Sequence, residues 1–130
     1  MLALPIVLAM MAMSGDTSDS RTVADRFLVL YYDDDLDRVR EAAQLCTGTA
    51  KSRLEGEINF MDGAPPPEAA DRLNATFRLL YQRSTPAEAT YVYRVHLRTP
   101  DTGQLFARLV LVQEGGRWAV SRFDEKERSL

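Results

Sequence analysis

Residues 91–123 read YVYRVHLRTPDTGQLFARLVLVQEGGRWAVSRF, and this stretch decides the fold. Tyr91, Tyr93, Val95 and Leu97 alternate with Val92, Arg94, His96 and Arg98. After the turn signal Pro100-Asp101-Thr102-Gly103, Leu105, Ala107, Leu109 and Leu111 set a second alternating run that reaches Gln113. Gly115-Gly116 then marks a tight hairpin, and Arg117 to Phe123 form a further run. A period of two belongs to half-buried strands, and short Gly- and Pro-containing breaks between such runs belong to antiparallel hairpins. Upstream, Phe77, Leu79 and Tyr81 alternate with Arg78, Leu80 and Gln82, and Thr85-Pro86-Ala87-Glu88 supplies the turn into residue 91. The spacing predicts a four-stranded antiparallel meander.

Before Asn74 the period becomes helical. Val23, Phe27, Leu30 and Tyr31 fall on one stripe of a first helix that Asp19 or Ser20 can cap. Leu36, Val39, Ala43 and Cys46 define a second helix, broken at Thr47-Gly48. Ala50, Leu54, Ile58 and Met61 define a third, which Gly63 is placed to end and Pro65-Pro66-Pro67 cannot continue. Helices first and strands after predict an α+β domain with the helices on one face of the sheet.

The 130 residues suffice for one such domain, and 45% hydrophobic with 27% charged residues is a globular composition. Residues 1–73 carry 13 acidic and 7 basic side chains, and residues 74–130 carry 6 and 9. The net charge of −3 excludes the strong basic excess of a nucleic-acid binder, but the two halves differ in sign. Cys46 is the only cysteine, so no intramolecular disulfide forms, and its place on a helical stripe predicts a buried thiol.

Residues 1–13, MLALPIVLAMMAM, hold no polar side chain, and residues 14–20 follow as a polar linker. Thirteen residues are too few to span a bilayer, which takes about 20. They match the apolar stretch of a signal peptide or part of an anchor, and the abrupt change at Ser14 is unlike a packed core element. The expected layout is a signal or anchor segment over 1–13, a linker over 14–20, the folded domain over 21–124 and a charged tail over 125–130. The domain is expected at the membrane or exported across it.

Chemistry-bearing residues are few. His96, the single histidine, sits on the outward parity between Arg94 and Arg98. Asp33-Asp34-Asp35-Leu36-Asp37 lacks the alternation and the central glycine of a calcium loop. No Cys/His metal spacing, phosphate loop, dinucleotide fingerprint or nucleophile elbow is present, so neither metal nor cofactor is implied. Tyr81, Tyr91, Tyr93 and Trp118 share the inward parity of their strands, with Tyr31 or Tyr32 able to meet them from the first helix. Such apolar bodies with polar tips are the usual lining of a cleft for a small apolar ligand. The opposite parity carries Arg78, Arg94, Arg98, Arg108 and Arg117 with Val110 and Val112 between them. That mixture of guanidinium and aliphatic side chains suits a protein interface, possible self-association included.

The layout resembles the nuclear-transport-factor-two-like superfamily, also called cystatin-like or SnoaL-like. The residues that carry the resemblance are Val23-Ala24-Asp25-Arg26-Phe27-Leu28 and the closing Gly115-Gly116-Arg117-Trp118-Ala119-Val120-Ser121, similar to a GG-x-W-x-V hairpin. The resemblance covers Val23 to Asp124 and implies N-terminal helices set against a strongly curved, cone-like sheet. It extends to small bacterial, membrane-tethered members. Enzymes on this fold place Asp, His or Tyr inside the cone. Here the alternation leaves His96 outside and no Asp or Glu at an inward strand position. The expected function is therefore a non-catalytic, envelope-located accessory domain that binds a protein partner or a small apolar ligand. A lyase or isomerase using a tyrosine-lined pocket is the alternative, and a purely structural dimer module a second one.

The location has a direct check. The full chain is expected to fractionate with membranes or to be exported, and a chain beginning at Ser20 to be soluble and folded. Cytosolic full-length protein, with unfolding once residues 1–19 are removed, would assign the apolar segment to the core instead.

Overall fold

The computed structural model describes residues 19–33, 35–63, 75–97 and 104–127. The apolar segment, most of the linker, the three prolines, the turn at 100–103 and Arg98 lie outside the described residues.

Among the described residues three helices precede four strands, as the change of period predicts: α1 (Ser20–Tyr31), α2 (Leu36–Gln44), α3 (Gly48–Met61), β1 (Ala75–Ser84), β2 (Glu88–Leu97), β3 (Gln104–Glu114) and β4 (Arg117–Glu127). Val23, Ala24, Phe27 and Leu28 bury one face of α1 completely. Asp19 takes the N-cap position, where its carboxylate accepts a bond from the Thr22 hydroxyl (2.9 Å) rather than from a helix N–H. In α2 the buried positions are Val39 and Ala42, with Leu36 and Ala43 half-buried at the margin; the helix ends at Gln44, so Cys46, expected on its stripe, lies buried just beyond it in a single bridge to Val120. Ala50 and Leu54 are the buried positions of α3, which gives way to extended backbone at Asp62 and a left-handed Gly63 (φ +88°).

The strands form one antiparallel sheet in the order β1-β2-β3-β4. Gly115 and Gly116 both have positive φ (+58° and +78°), the backbone that a two-residue hairpin needs to match strand twist. The helices cover one face. Tyr93, Phe27, Leu28, Leu54, Leu109 and Leu111 are the largest fully buried side chains between the two layers. At about 1.5–3 kcal/mol for each such side chain, their burial is the main stabilising term.

Two bulges interrupt the alternation. In β1, Leu79 pairs with Tyr93 but Tyr81 pairs with Val92, so Leu80 is the extra residue. In β4, Val120 pairs with Leu111 but Arg122 pairs with Val110, so Ser121 is extra. Each bulge exchanges the faces of everything beyond it. Tyr81, expected inward, therefore lies on the outer face and is 50% exposed. Beyond Ser121 the inward residues are Phe123 and Glu125, and β4 continues to Glu127 where a charged tail from 125 was expected.

The β4 bulge is fastened from the helical side. Val120 N–H donates to Leu45 O (2.8 Å), and Thr47 N–H donates to Val120 O (2.8 Å). The Thr49 hydroxyl donates to Ser121 O (3.0 Å), and the Ser121 hydroxyl donates to Val110 O (3.1 Å). Gly48 allows this close pass: its φ is +58°, and a Cβ there would stand 3.4 Å from Ser121 O.

Two glycines should respond oppositely to the same substitution. Gly48→Ala is expected to destabilise by about 1–2 kcal/mol, because an L-residue resists the left-handed backbone. Gly56→Ala, in the interior of α3 with nothing within 4 Å of the added Cβ, is expected to stabilise by about 0.5–1 kcal/mol. Urea unfolding of both variants checks the pair of signs.

Candidate functional site

From Arg53 to its end at Met61, one face of α3 does not close onto the sheet. Between it, the end of α1 and the ends of β2, β3 and β4 lies a cleft of about 550 Å³. Val39, Met61, Leu97 and Leu105 provide aliphatic and thioether walls, Tyr31 and Tyr32 an aromatic one, and Gly56 leaves room where a side chain would intrude. Phe60 stands at the rim with 90% of its surface exposed. The volume is within the usual range for small-molecule sites, and the lining is mainly apolar.

Polar groups converge on this cleft in a connected set. Arg53 donates through Nη1 to Phe123 O (2.8 Å) and through Nη2 to Glu125 Oε1, and lies 3.4 Å from the Tyr31 hydroxyl oxygen. Tyr32 donates to the other oxygen of Glu125. Tyr31 donates to Glu57 Oε1 (2.9 Å), which also faces Arg53 Nε at 3.6 Å. The guanidinium lies 4.4 Å from the centre of the Phe123 ring, so it stacks while it bonds. Phe123 meets Phe27 and Tyr31 edge to face behind it, and Phe27 and Tyr31 are tilted against each other, with ring centres 4.8–5.6 Å apart.

Protonation follows from this packing. Burial, then the charges of Glu125 and Glu57, push the Tyr31 phenol well above its ordinary value. Burial and Glu125 do the same to Tyr32. Both phenols are therefore held as donors. Burial works against the charge of Arg53, but Tyr31, Glu125 and Glu57 outweigh it and raise its pKa. The set holds and orients; each phenol proton is committed to a carboxylate.

Of the aromatic candidates, Tyr31 and Tyr32 line the cleft. Tyr91, Tyr93 and Trp118 face inward as expected but belong to the core and do not line it. The Tyr91 hydroxyl bonds Ser20 Oγ (2.5 Å), and the Tyr93 hydroxyl donates to Asp25 (2.7 Å), so both fasten β2 beneath α1. Cys46 is buried, its thiol pushed up to about 12 by desolvation. His96 is exposed on the outer face beside Thr76 and Gln104. Among the described residues no group of metal-ligating side chains forms a site.

Arg53, Glu57, Phe60 and Glu125 were not anticipated. The expectation that no inward strand position carries Asp or Glu is overturned by Glu125, whose side chain the Ser121 bulge turns inward. A signal for that bulge exists: after Trp118 and Val120 the next apolar residue is Phe123, three positions on instead of two.

The outer face gathers Arg78, Arg94, Arg108, Val110, Val112 and Arg117 as expected, and the bulges add Tyr81 and Arg122. Arg78 stands directly across from Arg94, whose guanidinium is 5.9 Å from the Phe106 ring centre. A groove of about 590 Å³ crosses this face, with Leu80, Val92 and Phe106 in its lining.

Helices on one face of an open meander, with a cleft at the sheet's end, define an α+β helix-on-sheet architecture. No protein-family model matches the chain, and no curated protein sequence does. Solved structures do. A protein of Thiobacillus denitrificans assigned as a calcium/calmodulin-dependent protein kinase type II association domain superposes with a TM-score of 0.58 at 10% identity, over 82% of this chain and 93% of that one. An engineered nuclear-transport-factor-two-like protein superposes with a TM-score of 0.53 at 12% identity, over 83% of this chain and 100% of that one. The fold is thus nuclear-transport-factor-two-like, in agreement with the resemblance seen in the sequence.

Proposed function

We propose that this chain is a non-catalytic binding domain whose cleft takes a small, mainly apolar ligand. The observation that carries the reading is the cleft itself: about 550 Å³ of mainly apolar surface, with Arg53, Glu125, Tyr31 and Tyr32 already bonded to one another at its wall. A wall that is rigid before binding spends little ordering entropy when the ligand enters. A proton-transfer role finds less support, because both oxygens of Glu125 are occupied and the phenols are held protonated. An envelope location is part of the proposal and is supported by the unbroken apolar run at residues 1–13.

The neutral fluorophore N-phenyl-1-naphthylamine is a suitable probe. One molecule per chain is expected to bind, and Gly56→Leu, which puts a good helix former into the cleft, is expected to remove binding while the fold persists by circular dichroism. Equal binding by the variant, or none by the original chain, would defeat the reading.

A second contact is supported by the outer face. Leu80 (44% exposed) and Tyr81 (50% exposed) adjoin the Val92–Phe106 groove, and an apolar strip amid arginines is interface-like. One structural neighbour is assigned as an association domain. The partner proposed is a protein surface, a second copy first. Leu80→Lys with Tyr81→Lys should shift sedimentation to the monomer. An unchanged profile would reduce the face to solvated surface.

A further inference from the structure

The polar wall of the cleft is unbalanced, and the imbalance names a ligand class. Among the described residues it carries one guanidinium, Arg53, and two carboxylates, Glu57 and Glu125. The guanidinium is spent: it bonds Glu125 and the Phe123 carbonyl, and its face is against the Phe123 ring. Glu125 is spent as well, with one oxygen on Arg53 and the other on Tyr32. Glu57 is engaged less fully. Its Oε1 accepts from Tyr31 and lies 3.6 Å from Arg53 Nε, and its Oε2 accepts no hydrogen bond among the described residues.

That free oxygen sits one helical turn from Phe60, the exposed ring at the rim, with the gap left by Gly56 beside them. A carboxylate oxygen and an aromatic face at one opening both attract positive charge. An anion entering here would meet, among the described residues, a net negative wall whose one cation is already paired. We infer that the cleft selects lipophilic cations: an amine with an apolar body, the ammonium on Glu57 Oε2 and against the Phe60 face, and the hydrocarbon on Leu97, Leu105 and Met61. The inference rests on the cleft being a ligand site and adds the sign of the ligand's charge.

Displacement of N-phenyl-1-naphthylamine at low ionic strength by octylammonium, octanol and octanoate isolates that sign, since the three share one chain length. Octylammonium is expected to displace the probe at about one-tenth the concentration octanol needs, with octanoate weakest, which corresponds to about 1.4 kcal/mol of preference. Glu57→Gln should bring octylammonium level with octanol and leave octanol unchanged. Octanol or octanoate matching octylammonium while the probe still binds, or a preference that survives Glu57→Gln, would overturn the charge assignment and leave the ligand site standing. Failure of the probe to bind at all would overturn both.

Discussion

The single extra residue in β4 is the constraint on which the rest of this structure depends. Without Ser121 in the bulge, period two would carry Arg122 and Asp124 inward after Val120 and put Phe123 and Glu125 in water. With it, Phe123 completes the aromatic cluster beneath α1, and Glu125 reaches the wall of the cleft. The bulge does not stand alone. The connection from α2 to α3 binds both backbone groups of Val120, Thr49 binds the carbonyl of Ser121, and Arg53 binds the carbonyl of Phe123. Four contacts from one side therefore fix the register of β4 at the point where it changes phase.

Arg53 shows how scaffold and site share their contacts. One planar side chain joins α3 to β4 through a carbonyl, a carboxylate and a ring face. Through the Tyr31 hydroxyl and Glu125 it also reaches both tyrosines at the end of α1. A half-buried ion pair is a weak net stabiliser, because desolvation offsets much of its attraction, whereas loss of one partner leaves a costly charge behind. Such a pair specifies geometry more than it adds stability. Here it holds three elements in one arrangement around an otherwise apolar hollow.

The fold was legible because its strongest signals are periodic. β2 and β3 are the central strands and run unbroken, so Tyr91, Tyr93, Val95, Ala107, Leu109 and Leu111 all face where alternation puts them. The three helices announced themselves by stripe and by breaker. The site was legible only in part, for a physical reason. A bulge breaks the period that alternation relies on, and β1 and β4 each contain one; in β4 the sole mark is the three-residue step from Val120 to Phe123. In β1 the run Leu79-Leu80-Tyr81 suits either face, so the reversal of Tyr81 is hidden. Arg53 and Glu57 are an i, i+4 pair of opposite charge, a pattern that ordinarily marks a solvated helix flank. Only the arrival of Glu125 from a strand 72 positions away makes them part of a wall.

The contacts that fasten the bulge also occupy a margin of the sheet. Backbone groups of Val120, Ser121 and Phe123 that an incoming chain would use are already bonded by Leu45, Thr47, Thr49 and Arg53. No described residue pairs with the opposite margin, along β1. Continuous polymerisation through strand addition needs two receptive margins on every molecule, one to give and one to receive. Among the described residues, this chain leaves one margin wholly open and the other partly occupied. Strand addition at β1 would join two copies edge to edge, and a third would then meet the β4 margin at the point where the helices already hold it.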